Sequence, residues 1–213
     1  SRGLGDVYKR QLILRSASFQ VAFLTATAVV SRVGTASLAG HQIMMQLWNF
    51  MSLILDSLAI AAQSLTGAAL GAGSARHARS VGSKVALYST IFSGLLAVVF
   101  AAGAGIIPRI FTSSPEVLDA ISKPWWILVA MVIGGGVVFA FDGVLLGAGD
   151  AAFLRTLTIS SVLVGFLPGV ILAHFMGTGL TGVWCGLAAF IAFRMVGVVY
   201  RFRSMKWAVV QER

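Results

Sequence analysis

Apolar residues run through this chain in six long blocks, near residues 12–31, 38–66, 81–104, 124–146, 153–174 and 179–200, separated by short polar breaks. Each block supplies about 20 helical residues, enough at 1.5 Å rise per residue to cross a hydrocarbon layer of about 30 Å. Helices are the economical way across, because lipid offers no hydrogen-bond partner to an open strand edge. The short alternating segments of a closed β-barrel do not stand out. The pattern therefore predicts an all-α integral membrane protein with six transmembrane helices.

The breaks carry boundary chemistry. Ser31, Arg32, Gly34 and Thr35 part the first two blocks, and Pro108 and Pro115 bracket a link containing Thr112, Ser113 and Ser114. Pro124 suits the first turn of the fourth helix. Trp125 and Trp126 at that helix start, and Trp207 after the last block, read as interfacial anchors. The tetrapeptide LGAG occurs at Leu70–Gly73 and again at Leu146–Gly149, near the ends of the second and fourth blocks. Glycine allows a sharp helix exit, so the pair hints at repeated hairpins; coincidence in a Gly-rich chain is the competing explanation. Neither copy ends in the Lys-Ser/Thr of a phosphate-binding loop.

Composition sharpens this picture. The chain is 58% hydrophobic and 11% charged, with a mean hydropathy of +0.91, which excludes an ordinary soluble domain of 213 residues. The net charge of +9 comes without a basic groove interleaved with aromatics, so nucleic acid is not an expected partner. With the N-terminus inside, the cytoplasmic set gains Arg15, Arg76, Arg79, Lys84, Arg155, Arg201, Arg203, Lys206 and Arg213, against Arg32, Arg109 and Lys123 outside. That is a positive-inside bias, with both ends of the bundle cytoplasmic. The expected location is the cell membrane, specifically a prokaryotic inner membrane. Cys185 is the only cysteine, so an intramolecular disulfide is excluded. DVYKRQ, Asp6–Gln11, reads as the translation of a transposon-based sequencing adapter; an ordinary polar arm is the alternative. The expected organisation is a non-native leader at 1–11, a six-helix membrane lobe at 12–206 and a cytoplasmic tail at 207–213.

Two acids inside apolar blocks are the first functional candidates. Asp56 and Asp142 each sit at membrane depth, where a carboxylate is costly unless protonated, paired or facing water. Burial favours the protonated form of an unpaired carboxylate, which suits H⁺ exchange; bound Na⁺ favours the ionised form. The alternative for both is a structural polar clasp. Asn49, Ser52, Asp56 and Gln63 fall on one broad helical face, as a cavity wall or a polar interhelix contact would require. Arg194, alone in the last block, can bind an anionic group, hold a carboxylate or snorkel. His41 and Gln42 begin the second helix and suit an outer gate. A lone His lacks a metal-ligand set, so no metal is expected. His77 reads as a solvated loop residue and His174 as an outer-interface one. Gly134, Gly135 and Gly136, and separately Pro168, are hinge candidates, with tight packing as the plainer role of the glycines. Met and aromatic residues such as Met44, Met45, Trp48, Phe50 and Met51 are more often packing than a drug pocket, although apolar aromatic walls with a few acids suit an amphipathic organic cation. Neither a nucleophile–base pair nor zinc spacing is present, so catalysis is not expected.

The segment LAGHQIMMQLWNFMSLILDSLAIAAQSLTGAALGAG, Leu38–Gly73, resembles the multidrug and toxic compound extrusion (MATE) family, in its DinF-like branch, and FDGVLLGAGD, Phe141–Asp150, is a second resembling segment. The resemblance covers about residues 12–206. It implies the C-terminal six-helix lobe of a twelve-helix antiporter that exports amphipathic, often cationic, organic solutes against H⁺ or Na⁺ by alternating access. The implied partners are an N-terminal lobe of the same polypeptide, membrane lipids and a small organic substrate, with the coupling ion as the only cofactor. It further implies that Asp142 contributes to a cation site of this lobe, with Asp56 on the neighbouring helix. The competing expectations are a native half-size homodimer, half of a lipid-linked oligosaccharide flippase, favoured by a strongly basic cavity, and a non-transporting membrane scaffold.

Overall fold

The structure is a computed structural model describing residues 2–209. Ser1 and residues 210–213 of the expected tail, Arg213 included, lie outside the described residues. The helices in chain order are α1 (Arg2–Val33), α2 (Thr35–Gly71), α3 (Ala75–Ala102), α4 (Ile107–Phe111), α5 (Pro115–Ser122), α6 (Pro124–Gly147), α7 (Ala151–Ser160), α8 (Leu167–Met176) and α9 (Gly179–Ser204). A π-helical stretch, Ser161–Phe166, joins α7 to α8, so these three pieces form one continuous crossing. Six helical segments are then long and apolar enough to span a membrane. The six-block pattern thus maps onto six crossings, and the chain is a multi-pass membrane protein.

Helix α6 is the axis of the bundle, packing against α2, α3 and α9. It is apolar on nearly every side, as a helix surrounded by other helices must be. Lipid tails are as apolar as leucine, so close packing and interhelical hydrogen bonds, more than water exclusion, hold such helices together. Small residues set how closely they approach. A Cβ on Gly143 would fall against the Ala59 carbonyl of α2, and one on Gly147 against the Gln63 carbonyl. On the α3 side a Cβ on Gly136 would collide with Ser93, while Ser89 Oγ donates to the Gly136 carbonyl at 2.7 Å. Gly134 and Gly135 face Ile191 and Trp48, so all three consecutive glycines lie at helix contacts within an unbroken α6.

The fifth crossing is the irregular one. Pro168 has no N–H to donate and its ring crowds the carbonyl four residues back, so a regular α-helix cannot run through it undisturbed. The chain widens into the π stretch immediately before it.

Both LGAG copies build one kind of turn. Gly73 and Gly149 adopt φ of +84° and +79°, a left-handed conformation that favours glycine. The next amide donates five residues back in each case, Ser74 N to Ala69 O at 3.0 Å and Asp150 N to Leu145 O at 2.9 Å, which closes the helix ends. The repeated tetrapeptide therefore marks equivalent exits from α2 and α6.

Several expectations change. Trp125 is buried rather than lipid-facing, and its indole donates to the Phe100 carbonyl at 2.9 Å, tying α6 to the end of α3. Trp126 keeps the exposed position expected of an anchor. Trp207 is also buried, stacked on Phe202 and donating to the Phe202 carbonyl at 2.9 Å. Thr112, Ser113 and Ser114 form a non-helical link between two short helices, α4 and α5, each with a proline in its first turn. His77 lies in the first turn of α3, where its amide donates to the Ser74 side chain, rather than in a loop.

The close approach of α2 and α6 has a direct consequence. Gly143→Ala is expected to cost about 1–3 kcal/mol through overpacking. Gly94→Ala, where a Cβ meets nothing within 4 Å, is expected to be neutral or slightly stabilising. Thermal unfolding of the two purified variants beside the parent checks this, and equal melting temperatures would contradict the packing described.

Candidate functional site

Helix α1 presents Arg15, Phe19, Phe23 and Thr27 at four-residue spacing, one stripe along the helix. The lower end of this stripe meets Asp142 of α6 and Arg194 of α9. Arg15 Nη2 donates to Asp142 Oδ2 at 2.8 Å, and Arg194 Nη2 donates to both Asp142 oxygens at 2.9 Å. Asp142 is 3% exposed and Arg194 1%. The Phe19 ring lies 5.3 Å from the Arg15 guanidinium and 4.9 Å from that of Arg194, within cation–π range of both. Phe190 of α9 meets Phe19 edge-on at 5.4 Å.

One carboxylate thus serves two guanidiniums, so the cluster carries one excess positive charge. Its hydrogen bonding is also incomplete, because the Nε atoms of Arg15 and Arg194 are both buried without an acceptor. Of the two sequence candidates for ion exchange, Asp142 is therefore held in a clasp, and Arg194 takes the carboxylate-holding role among its alternatives. The positive-inside count takes Arg15 as a cytoplasmic charge; in the structure it is a member of this cluster. The signal was present, since Arg15 is a lone cation near the start of an apolar block with Phe19 one turn further on.

The cluster forms one wall of a cleft of about 270 Å³. Asp56, Asn49 and Ser52 line it from α2, with Trp48, Phe23 and Phe139 as apolar surface. The shared polar face of α2 is real as far as Asp56, but Gln63, two turns on, is exposed and outside the cleft. Asp56 itself is exposed, because no helix among the described residues covers that face of α2. Among the described residues it has no ion-pair partner within 4.0 Å, whereas Asp142 has two and Asp150 one, in Arg201.

A second polar node ties α1 and α9 to α2 nearer the other end of the bundle. His41 is completely buried. The Trp184 indole N–H, which can only donate, meets His41 Nδ1 at 3.1 Å, so Nδ1 accepts. In the neutral ring Nε2 then carries the hydrogen and faces Thr27 Oγ1 at 3.1 Å, while Thr27 donates to the Phe23 carbonyl at 3.0 Å. His41 thus joins α1, α2 and α9, whereas Gln42 beside it is exposed and takes no part. Among the described residues no three His, Cys, Asp or Glu side chains gather as a metal site would require.

The profile of the MatE family matches residues 12–171 of this chain. The chain belongs to the MatE family. Protein DETOXIFICATION 44, chloroplastic, from Arabidopsis thaliana is 32% identical to this MatE chain over 93% of it and 38% of the relative. Protein DETOXIFICATION 45, chloroplastic, from the same plant is 30% identical over 91% of the chain and 34% of the relative. In three dimensions the MatE fold superposes on the eukaryotic MATE transporter AtDTX14 with a TM-score of 0.86 at 18% identity, covering 97% of this chain and 47% of that one. The chain therefore spans less than half the length of these relatives.

The clasp sets a stability prediction. Asp142→Asn leaves the buried Arg194 and the partly buried Arg15 guanidiniums facing a neutral amide and is expected to cost about 3–5 kcal/mol. Adding Arg194→Met removes one of the unpaired charges and should recover part of that loss. Denaturation of both variants in the same detergent tests this; a double variant no more stable than Asp142→Asn alone would contradict the clasp.

Proposed function

We propose that this chain forms one six-helix lobe of a transporter that exports amphipathic organic solutes in exchange for H⁺ or Na⁺ by alternating access. The rest of the same polypeptide supplies the facing lobe. The observation that carries this reading is Asp56, an unpaired carboxylate part-way along a membrane helix, facing a cleft with aromatic walls. Such a carboxylate is costly in lipid and worth retaining where it meets a cavity and exchanges ligands. Support comes from family membership and from the relatives named for detoxification.

The division of labour differs from a pair of equivalent acids. A third cation placed at Asp142 would be repelled by the two guanidiniums in contact with it, so ion exchange falls to Asp56. There H⁺ or Na⁺ competes with the cationic group of a solute, and competition for one carboxylate links the two fluxes. Pro168 and the π stretch before it are where the fifth crossing yields as the cleft opens and closes, while the glycines of α6 keep a rigid axis. The His41 node holds the opposite ends of α1, α2 and α9 together through this movement. Both ends of the lobe face the cytoplasm; the positive-inside bias persists after Arg15 is assigned to the cluster.

The test is flux in proteoliposomes containing the full-length protein. Asp56→Asn is expected to reduce export of an amphipathic amine under an imposed H⁺ or Na⁺ gradient by about tenfold or more, with insertion and unfolding temperature retained. Unchanged gradient-driven flux in that variant would overturn the assignment of Asp56.

A further inference from the structure

Two features are not used by ion exchange: the excess of guanidinium in the Arg15–Asp142–Arg194 cluster and the split polarity of the cleft. We propose that Arg15 and Arg194 form an acid-receiving subsite, so that the preferred solute is zwitterionic, with a carboxylate or similar acid beside its cationic group. The inference rests on the transport reading above and names the substrate class of that same cleft.

Three observations converge. Arg15 and Arg194 both line the cleft, and between them they meet a single carboxylate, Asp142. Their Nε–H groups are buried without acceptors, and Arg194 is 1% exposed. Two guanidiniums sharing one carboxylate in a low-dielectric wall are under-neutralised, an arrangement that a further acid beside them relieves. Arg15, whose side chain is 20% exposed, is the point of entry for that acid.

Asp56 completes the logic. It lines the same cleft as Arg15, yet the two opposite charges stand farther apart than the 4.0 Å of an ion pair. An acid–ammonium pair placed between them satisfies both, with the acid towards Arg15 and the ammonium on Asp56. The four charged side chains of the cleft, two arginines and two aspartates, sum to zero, so a ligand without net charge leaves the cleft balanced. Trp48, Phe23 and Phe139 receive the apolar body. Competition at Asp56 between the solute ammonium and H⁺ or Na⁺ is preserved, so the exchange above is unaffected.

The test uses three probes sharing one ring and one chain length: naphthylalanine, a zwitterion at neutral pH, naphthylethylamine, a cation, and naphthylpropionate, an anion. Binding to the full-length protein is measured by calorimetry. Naphthylalanine is expected to bind about tenfold or more tightly than either of the others. Arg15→Gln should weaken naphthylalanine and naphthylpropionate about tenfold while leaving naphthylethylamine within about threefold, and Asp56→Asn should selectively weaken the two amine-bearing probes. Arg15→Lys, which keeps the charge and the clasp partner, should retain most of the preference and serves if Arg15→Gln fails to fold. Naphthylethylamine binding as tightly as naphthylalanine, or a uniform loss of all three probes in Arg15→Gln, would overturn the proposal. Flux separates the two levels. Gradient-driven movement of naphthylethylamine but not naphthylalanine would sink this inference alone. The expected binding pattern without gradient-driven movement of any probe would sink the transport reading and leave the subsite standing.

Discussion

A carboxylate buried between two guanidiniums is the constraint around which this lobe is arranged. In a medium without water none of these three charges is stable alone, so α1, α6 and α9 must meet wherever they are carried. Asp142 sits on the central helix, Arg194 on the last and Arg15 on the first. The consequence reaches beyond packing. Because Asp142 is committed to its arginines, Asp56 is the unpaired carboxylate of the cleft, and the two guanidiniums give the cleft a positive wall opposite a negative one.

The clasp needs a rigid frame. Glycines at helix contacts let α2 and α3 approach α6 to backbone distance, and Gly169 and Gly186 do the same between α8 and α9. Irregularity is concentrated in the fifth crossing, where proline forces a π stretch. The Thr27–His41–Trp184 chain and the Arg201–Asp150 ion pair close the bundle nearer its two ends. Close packing is thus concentrated at the axis and helical irregularity on one side.

Much of the fold was legible because membrane helices advertise themselves by long apolar blocks, and six such blocks became six crossings. The repeated LGAG was also readable, since two left-handed glycines need glycine for the same physical reason. Trp125 and Trp207 misled because an indole near a helix end satisfies its N–H equally well at the lipid interface or on a neighbouring carbonyl, and sequence alone does not distinguish them. The site was half legible. Asp56, Asp142 and Arg194 announced themselves as charges in apolar surroundings. That Asp142 and Arg194 belong to one cluster, 52 residues apart, and that Arg15 joins from 127 residues away, depends on helix rotation and tertiary contact. Gln42 and Gln63 have suitable chemistry but point elsewhere, because a helical face spans a wide arc and only part of it meets the cleft.

The most direct test is a side-chain-resolution electron cryo-microscopy map of the full-length protein in lipid nanodiscs. The account predicts both guanidiniums, from Arg15 and Arg194, in hydrogen-bond contact with the Asp142 carboxylate at one wall of the cleft, with Asp56 facing it unpaired. Arg15 turned away to the cytoplasmic surface, or a salt bridge between Arg15 and Asp56 in place of the one to Asp142, would contradict it.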